Sequence, residues 1–244
     1  MTKSIHKYCT ILLLGLLTSC VVYQPQVAPV SLIKEKGDLQ FNIGAIFPST
    51  GVYANANYGI NSFISSQLYG SFYLPGIYHI DFNSGFYKNI NKINIGIWGG
   101  YAYGQGQLYD GGGMRKQTYW KGDYSLPYCK IQLIKESKRY HFGIIFKYGF
   151  LTPNYTQTID TSLVVLRDRK MYILEPSLIF NLKLFDRLSV TFNYTNALIR
   201  PIERFDKYNT VHHDISHNAA GNLGVGVVYI IKTGHNTTYD NNEQ

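Results

Sequence analysis

A group of three histidines and an aspartate near the C-terminus is the most compact set of potential metal ligands in the chain. It comprises His212, His213, Asp214 and His217. Imidazole and carboxylate groups can hold zinc or copper. No cysteine lies in this stretch, and no helix or strand is predicted there to fix the ligands on one face. We therefore interpret it as a solvated polar loop, and a metal-dependent enzyme or metal-binding protein is the least favoured hypothesis.

A second ionisable set lies on two segments of alternating polarity. It comprises Arg139, His141, Lys147 and Glu175. If these segments are neighbouring strands, Glu175 comes close to Lys147 or His141, which could form a polar gate or a proton-linked site. The simpler interpretation is structural, because interacting charges inside a small barrel hold its strands together and an unpaired buried carboxylate is costly.

Catalytic patterns lack supporting context elsewhere in the chain. Gly104, Gly106 and the run 111–113 resemble a phosphate-binding loop only superficially, because no helix pattern follows them. No Ser-His-Asp or Cys-His arrangement is supported by its surroundings. We therefore predict that the protein is not an enzyme.

Basic residues outnumber acidic ones, and the formal net charge is +8. The lysines and arginines are spread along the chain without forming a block, so a nucleic-acid partner is not expected. Attraction to anionic membrane lipid or lipopolysaccharide is one use for this charge, and a surplus that only aids solubility is the other.

The N-terminus carries a pattern for covalent lipid attachment. Lys3 and Lys7 precede the apolar run 11–17, which is typical of a signal peptide. The run leads into a motif that resembles the lipobox of bacterial lipoproteins, namely Leu17, Thr18, Ser19 and Cys20. We predict a signal peptide at 1–19 and acyl chains (palmitate) with diacylglycerol on Cys20, with no other cofactor. An ordinary signal peptide with a chance cysteine is the alternative.

The remaining organisation follows from composition. Residues 20–35 contain Pro25 and Pro29 and show no sustained alternation, which predicts an extended, lipid-anchored tether. Acidic residues are missing directly after Cys20, which weakly favours acyl chains in the inner leaflet of the outer membrane. Residues 36–231 form the predicted β domain, and 232–244 form a polar C-terminal tail.

A strand-rich fold is indicated by composition and periodicity. The chain has 22 Tyr, 13 Phe and only 16% charged residues among 244, which excludes a disordered chain and a coiled coil. From Lys36 to Ile231 the dominant period is two, as in strands with one apolar face. About ten strands are predicted, and the clearest apolar stripe comprises Tyr140, Phe142, Ile144, Phe146 and Tyr148.

The connections between these segments are sorted by length. Tight turns follow the even-numbered segments, whereas long loops near 105–123, 150–170 and 197–217 follow the fifth, seventh and ninth. All long loops then lie at one end of the sheet. This arrangement is typical of a membrane β-barrel, which has short periplasmic turns, long outer loops and an even number of strands.

The apolar face is expected to point outward. A small barrel has too little interior room for stripes of aromatic side chains, and a basic residue turned toward lipid would cost about 2–4 kcal/mol. We therefore predict an all-β, antiparallel up-and-down barrel of the outer-membrane type. The alternative is a soluble, periplasm-facing barrel lipoprotein that binds an apolar ligand inside.

Several stretches are similar to a poorly characterised family of bacterial outer-membrane β-barrel lipoproteins. They are Cys20 with its Tyr/Pro tether, 32–38, 99–106 and 174–176. The resemblance implies transmembrane β-strands and a lipid-anchored location in the outer membrane of the cell envelope, and it carries no catalytic residues. We expect a structural or interaction role through the outer loops, with a narrow pore as a weaker variant.

Overall fold

The structure is a computed structural model dominated by antiparallel strands. It describes residues 23, 26–27, 30–74, 76–110, 118–159, 162–167, 170–201 and 220–232. In these ranges no helix is long and apolar enough to cross a membrane. The strands are β1 Leu39–Phe47, β2 Gly51–Gly59, β3 Ile64–Tyr73, β4 Ile77–Ile90, β5 Ile93–Asp110, β6 Thr118–Glu136, β7 Tyr140–Ile159, β8 Ser162–Arg167, β9 Met171–Lys183, β10 Leu188–Pro201 and β11 Ala220–Ile231.

Ten of these strands close into a barrel. From β1 to β7, and from β9 to β11, each strand pairs with the next one in the chain. Residues 140–151 of β7 pair with β9, and β1 pairs with β11, which closes the ring. The short strand β8 pairs only with the upper part of β7, from Asn154 to Ile159, so it lies outside the closed ring. The predicted all-β barrel of about ten strands is therefore confirmed.

The two ends of the barrel differ. At one end, which we call the short-turn end, tight connections follow β2, β4, β6 and β9. The first of these turns is held by Asn61, whose Oδ1 accepts hydrogen bonds from the backbone N–H groups of Phe63 and Ile64. The second uses Asn91 and Lys92, both with positive φ. We call the opposite end, where the long connections lie, the long-loop end.

Two of the predicted long loops are largely strand, which corrects the prediction. The last β4–β5 pair is Tyr78 with Gln105, yet β5 and β6 stay paired as far as Asp110 and Thr118. β7 likewise continues along β6 to Ile159 and then pairs with β8. The alternation of side chains is weak here, but the two arms of a hairpin still satisfy each other's backbone hydrogen bonds.

These extensions form a four-stranded sheet beyond the barrel rim, which we call the outer wall. Its segments are 105–110 of β5, 118–125 of β6, 152–159 of β7 and 162–167 of β8. The third predicted loop, 197–217, is strand as far as Pro201.

The two faces of the barrel confirm the outward orientation of the apolar stripes. Tyr140, Phe142, Phe146 and Tyr148 are 41–49% exposed on the outer surface. The interior is lined instead by buried polar side chains, among them Gln40, Asn42, Asn57, Asn83, Gln132, Asn181 and Asn193. This is the polarity of a membrane barrel and the reverse of a soluble barrel with an apolar ligand cavity.

The glycines of segment 99–106 lie on both faces of the barrel wall. A Cβ added at Gly104 would lie 2.2 Å from the Tyr124 ring, and one at Gly100 would lie 2.5 Å from the Tyr128 ring. A Cβ at Gly99, on the outer face, would meet nothing within 4 Å. The interior glycines therefore make room for the rings of Tyr124 and Tyr128, their paired residues on the neighbouring strand β6.

Candidate functional site in the barrel lumen

The barrel lumen is occupied by the protein's own N-terminal segment. The described residues of this segment are Tyr23, Gln26, Val27 and 30–33, and all are buried, with Val27, Val30 and Ile33 fully so. We call the described residues 23, 26–27 and 30–33 the plug segment. The sequence predicted an extended tether for this region, and the burial of these residues inside the barrel was not foreseen.

Amide side chains of the barrel wall bind residues 30–32 of the plug segment. Gln132 Oε1 accepts from the Ser31 N–H at 3.1 Å, and Gln132 Nε2 donates to the Ser31 carbonyl at 2.8 Å. Gln40 likewise accepts from the Leu32 N–H at 2.8 Å and donates to the Val30 carbonyl at 2.7 Å. The two glutamines thereby replace the strand partner that an extended backbone needs in a closed space.

The middle of the plug segment is held by hydroxyl groups of β3. Gln26 Oε1 accepts hydrogen bonds from Ser71 at 2.6 Å, from Tyr73 at 3.2 Å and from Tyr69 at 3.4 Å. All four residues are buried. Because buried polar groups are costly when unpaired, this cluster favours the presence of the plug segment in the lumen.

The first described residue of the plug segment, Tyr23, binds a buried carboxylate. The Tyr23 hydroxyl donates to Glu175 Oε1 at 2.8 Å, and its ring meets the Tyr124 ring edge-on with centroids 5.1 Å apart. Tyr23 therefore makes both a charge-assisted hydrogen bond and an aromatic contact with the barrel wall.

Glu175 belongs to a compact ionic cluster. Lys147 Nζ lies 3.3 Å from Glu175 Oε2 and 3.5 Å from Asp81 Oδ2. The same ammonium lies 4.5 Å from the centre of the Tyr128 ring, and the Tyr128 hydroxyl donates to Asp81. All four residues are buried, so the charges are shielded from bulk water and depend on one another.

A second lysine, Lys130, lies directly opposite Lys147 on the neighbouring strand β6. Lys130 Nζ donates to Gln67 and, at 3.5 Å, to Asn83 Oδ1. It also lies 4.8 Å from the centre of the Trp98 ring, where a cation is attracted by the π system. Lys130 is thus satisfied by neutral groups.

His79 connects the cluster to the aromatic contact with the plug segment. Its Nδ1 is 2.6 Å from the Tyr124 hydroxyl, and its Nε2 is 3.8 Å from Asp81 Oδ2. A cavity of about 10 Å³ beside Asp81 and Glu175 is no larger than the space one water needs. The arrangement is therefore a packed polar core.

The structure brings together only two of the four predicted luminal residues. Lys147 and Glu175 are directly opposite each other on β7 and β9. Arg139 is exposed in the turn before β7, and His141 is buried near the short-turn end, six residues before Lys147. At about 3.3 Å per residue, His141 is roughly 20 Å away along the strand. Arg139 and His141 are therefore not part of the cluster.

Sequence reasoning missed several members of the site. Asp81 and Lys130 are charged residues on the interior face of segments whose alternation is noisy, and strict parity along β4 and β6 finds both. Tyr23 and Gln26 carry no comparable signal, because the plug segment has no alternating pattern.

The remaining candidates lie elsewhere. The lipobox residues with Cys20, and the group His212, His213, Asp214 and His217, lie outside the described residues. Within the described ranges no three His, Cys, Asp or Glu side chains are placed to hold a metal ion. Cys129 is exposed on the outer face of β6.

No protein-family model matches this chain, and comparison with curated proteins finds no match. Among solved structures, the outer membrane protease OmpT from Escherichia coli is similar with a TM-score of 0.56 and 11% identity, over 84% of this chain and 100% of that one. The NanC porin gives a TM-score of 0.38 and 8% identity, over 78% and 98%. At this identity the likeness to OmpT concerns the fold alone, which is that of an outer-membrane β-barrel.

Proposed function

We propose that the protein is an outer-membrane β-barrel lipoprotein whose lumen is sealed by its own plug segment and whose role is structural or interactive at the long-loop end. The observation that carries this proposal is the occupied lumen. An apolar exterior around a polar, filled interior suits a protein that sits in a membrane without conducting solutes.

The occupied lumen argues against the narrow pore considered from the sequence. Opening it requires Tyr23 to leave Glu175, and Ser31 and Leu32 to leave the two glutamines of the wall. Each of these groups is buried, so departure of the plug leaves unpaired donors and acceptors until water replaces them.

The outer wall supports the interactive part of the proposal. It extends past the rim, and its described side chains are largely polar: Lys121 and Asn154 are exposed, Asn154 donates to Asp123 at 3.4 Å, and Thr156 donates to the Lys121 carbonyl at 3.1 Å. Such a sheet is suited to contact polar envelope components, lipopolysaccharide among them, beside the membrane surface.

Lipid attachment is supported by the lipobox motif at 17–20. Each buried methylene contributes about 0.8 kcal/mol, so two or more acyl chains would hold the protein in the membrane independently of the barrel. The barrel and the acyl chains would then be two anchors on one chain in the outer membrane.

The soluble alternative requires an apolar cavity and a polar exterior. The described residues have the opposite arrangement, since the lumen contains Asp81, Lys130, Lys147 and Glu175. An apolar ligand would have to displace the plug segment and lie against these charges.

Gel mobility and conductance test the proposal together. A Cys20→Ala variant, directed by an ordinary signal peptide, should be extracted from outer membranes only with detergent and should run faster unheated than boiled. In planar bilayers it should show no stable conductance. Recovery as a soluble periplasmic protein would overturn the membrane barrel, and a large stable conductance would overturn the sealed lumen.

A further inference from the structure

The direction of the plug segment is defined by its contacts. At one extreme, Tyr23 belongs to an apolar cluster with Met171, where β9 begins, and Ile199, near the end of β10, both at the long-loop end. At the other, Ile33 lies against Gly59, the last residue of β2, at the short-turn end. The chain therefore descends through the lumen from the long-loop end to the short-turn end.

A tight reversal then joins the plug segment to β1. Asp38 Oδ2 accepts hydrogen bonds from the N–H groups of Lys34 at 3.2 Å and Glu35 at 3.1 Å. Gly37 has a φ of 84° and donates to the Gly59 carbonyl at 2.7 Å. β1 starts directly afterwards and runs back toward the long-loop end, so the plug segment enters the lumen from that side.

We propose that the mature N-terminus leaves the barrel at the long-loop end, so that the acyl chains on Cys20 enter the outer leaflet of the outer membrane. This inference rests on the proposed lipid modification of Cys20. It makes the protein a lipoprotein whose anchor lies on the external face, and it reverses the inner-leaflet location favoured by the lack of acidic residues after Cys20.

Chain length supports this location. Cys20 is three residues from Tyr23, and three residues span at most about 11 Å. From Glu175, the hydrogen-bond partner of Tyr23, to the end of β9 at Lys183 is about 26 Å along the strand, at about 3.3 Å per residue. Cys20 cannot reach the short-turn end, and the lumen below Tyr23 is already filled by the plug segment.

The barrel wall removes the other route. Near Tyr23 the β7–β9 pair is unbroken from Tyr140 to Leu151. The β6–β7 and β9–β10 pairs, which are interrupted for two residues near Pro127 and Pro176, resume on both sides of each interruption, so the strands stay side by side. Acyl chains attached inside the ring cannot pass sideways through these ladders. They must go over the nearer rim, which is the one at the long-loop end.

Thiol accessibility on intact cells tests the proposal. In a Cys129→Ser background, Val22→Cys is treated with a membrane-impermeant maleimide before and after permeabilisation, with denatured protein as the total-thiol reference. Leu74→Cys, at an exposed position in the β3–β4 turn, marks the long-loop end, and Lys138→Cys, exposed in the β6–β7 turn, marks the short-turn end.

We expect Val22→Cys and Leu74→Cys to react on intact cells to a similar extent, and Lys138→Cys to react only after permeabilisation. If Val22→Cys follows Lys138→Cys, or if Leu74→Cys is itself protected, the external location is overturned. Metabolic palmitate labelling of the protein with Cys20 and of Cys20→Ala separately tests lipid modification, so failure of the anchor and failure of its location are distinguishable.

Discussion

Lys147 Nζ lies 3.3 Å from Glu175 Oε2, and the two residues face each other across β7 and β9 inside the barrel. The same ammonium lies 3.5 Å from Asp81 Oδ2 on the other side of the lumen. Because Tyr23 also donates to Glu175, the charge of one lysine is connected to the position of the plug segment.

Replacing Lys147 with methionine should strongly destabilise the barrel. The change leaves the buried carboxylates of Asp81 and Glu175 without their shared cation, and breaking a buried ion pair from one side costs about 3–5 kcal/mol. Urea unfolding in detergent micelles, followed by the mobility shift between folded and boiled protein, measures the loss.

Two variants provide controls for this prediction. Lys138→Met, in an exposed turn, should change stability by no more than about 0.5 kcal/mol. The double variant Lys147→Met with Glu175→Gln should be more stable than Lys147→Met alone, because one unpaired carboxylate is neutralised. Equal stability of the single and double variants would contradict the ionic interpretation.

Tyr23→Phe should weaken the attachment of the plug segment with little change in shape. It removes a hydrogen bond to a charged group, for which about 1.5–3 kcal/mol is typical. Tyr101→Phe is the matched control, because Tyr101 is 55% exposed on the outer face. The midpoint of urea unfolding should fall for the first variant only, and equal midpoints would argue against a role for the Tyr23–Glu175 hydrogen bond.

Two glycines of β5 should respond differently to valine. Gly104→Val places a side chain into the Tyr124 ring and should destabilise the barrel by about 1–3 kcal/mol. Gly99→Val faces open space and should be neutral or slightly stabilising, since valine favours strands. The thermal transition of the compact gel band compares the two variants, and a similar loss in both would contradict the inferred close contact in the lumen.

A lysine substituted on the outer face tests whether this face contacts lipid. Phe82 is 57% exposed in the middle of the β4 stripe, and Phe82→Lys should cost about 2–4 kcal/mol if this position meets lipid. Phe82→Leu keeps the surface apolar and should have a much smaller effect. Folding into lipid vesicles as a function of urea gives both values, and a tolerated lysine would place this face in water.

Deleting residues 23–33 should open the lumen. The Cys20→Ala protein with this deletion should show small conductance steps in planar bilayers, whereas Cys20→Ala with the plug segment intact should show none. The difference in mobility between unheated and boiled samples checks that the deletion variant has folded. A folded deletion variant that conducts no more than the intact chain would show that the wall side chains alone close the lumen.

The alternation of side chains along each segment was enough to predict the barrel. The period-two stripe from Tyr140 to Tyr148 determines which side chains face outward, because successive residues of a strand point to opposite faces whatever their partners. The turn at Asn61 is equally local, since its side chain bonds the backbone two and three residues further on. Strand number and polarity therefore followed from residues close together in the chain.

The contents of the lumen were decided by tertiary structure alone. The plug segment contacts wall on every side, so it has no apolar and polar faces for a periodicity to reveal. Its partners Gln132 and Glu175 are more than a hundred residues away in sequence, and only closure of the barrel brings them to Ser31 and Tyr23. The sequence could place Lys147 beside Glu175, because the two lie on adjacent strands. The third charge, Asp81, lies on β4, which is not paired with either strand, so strand pairing could not predict its contact with Lys147.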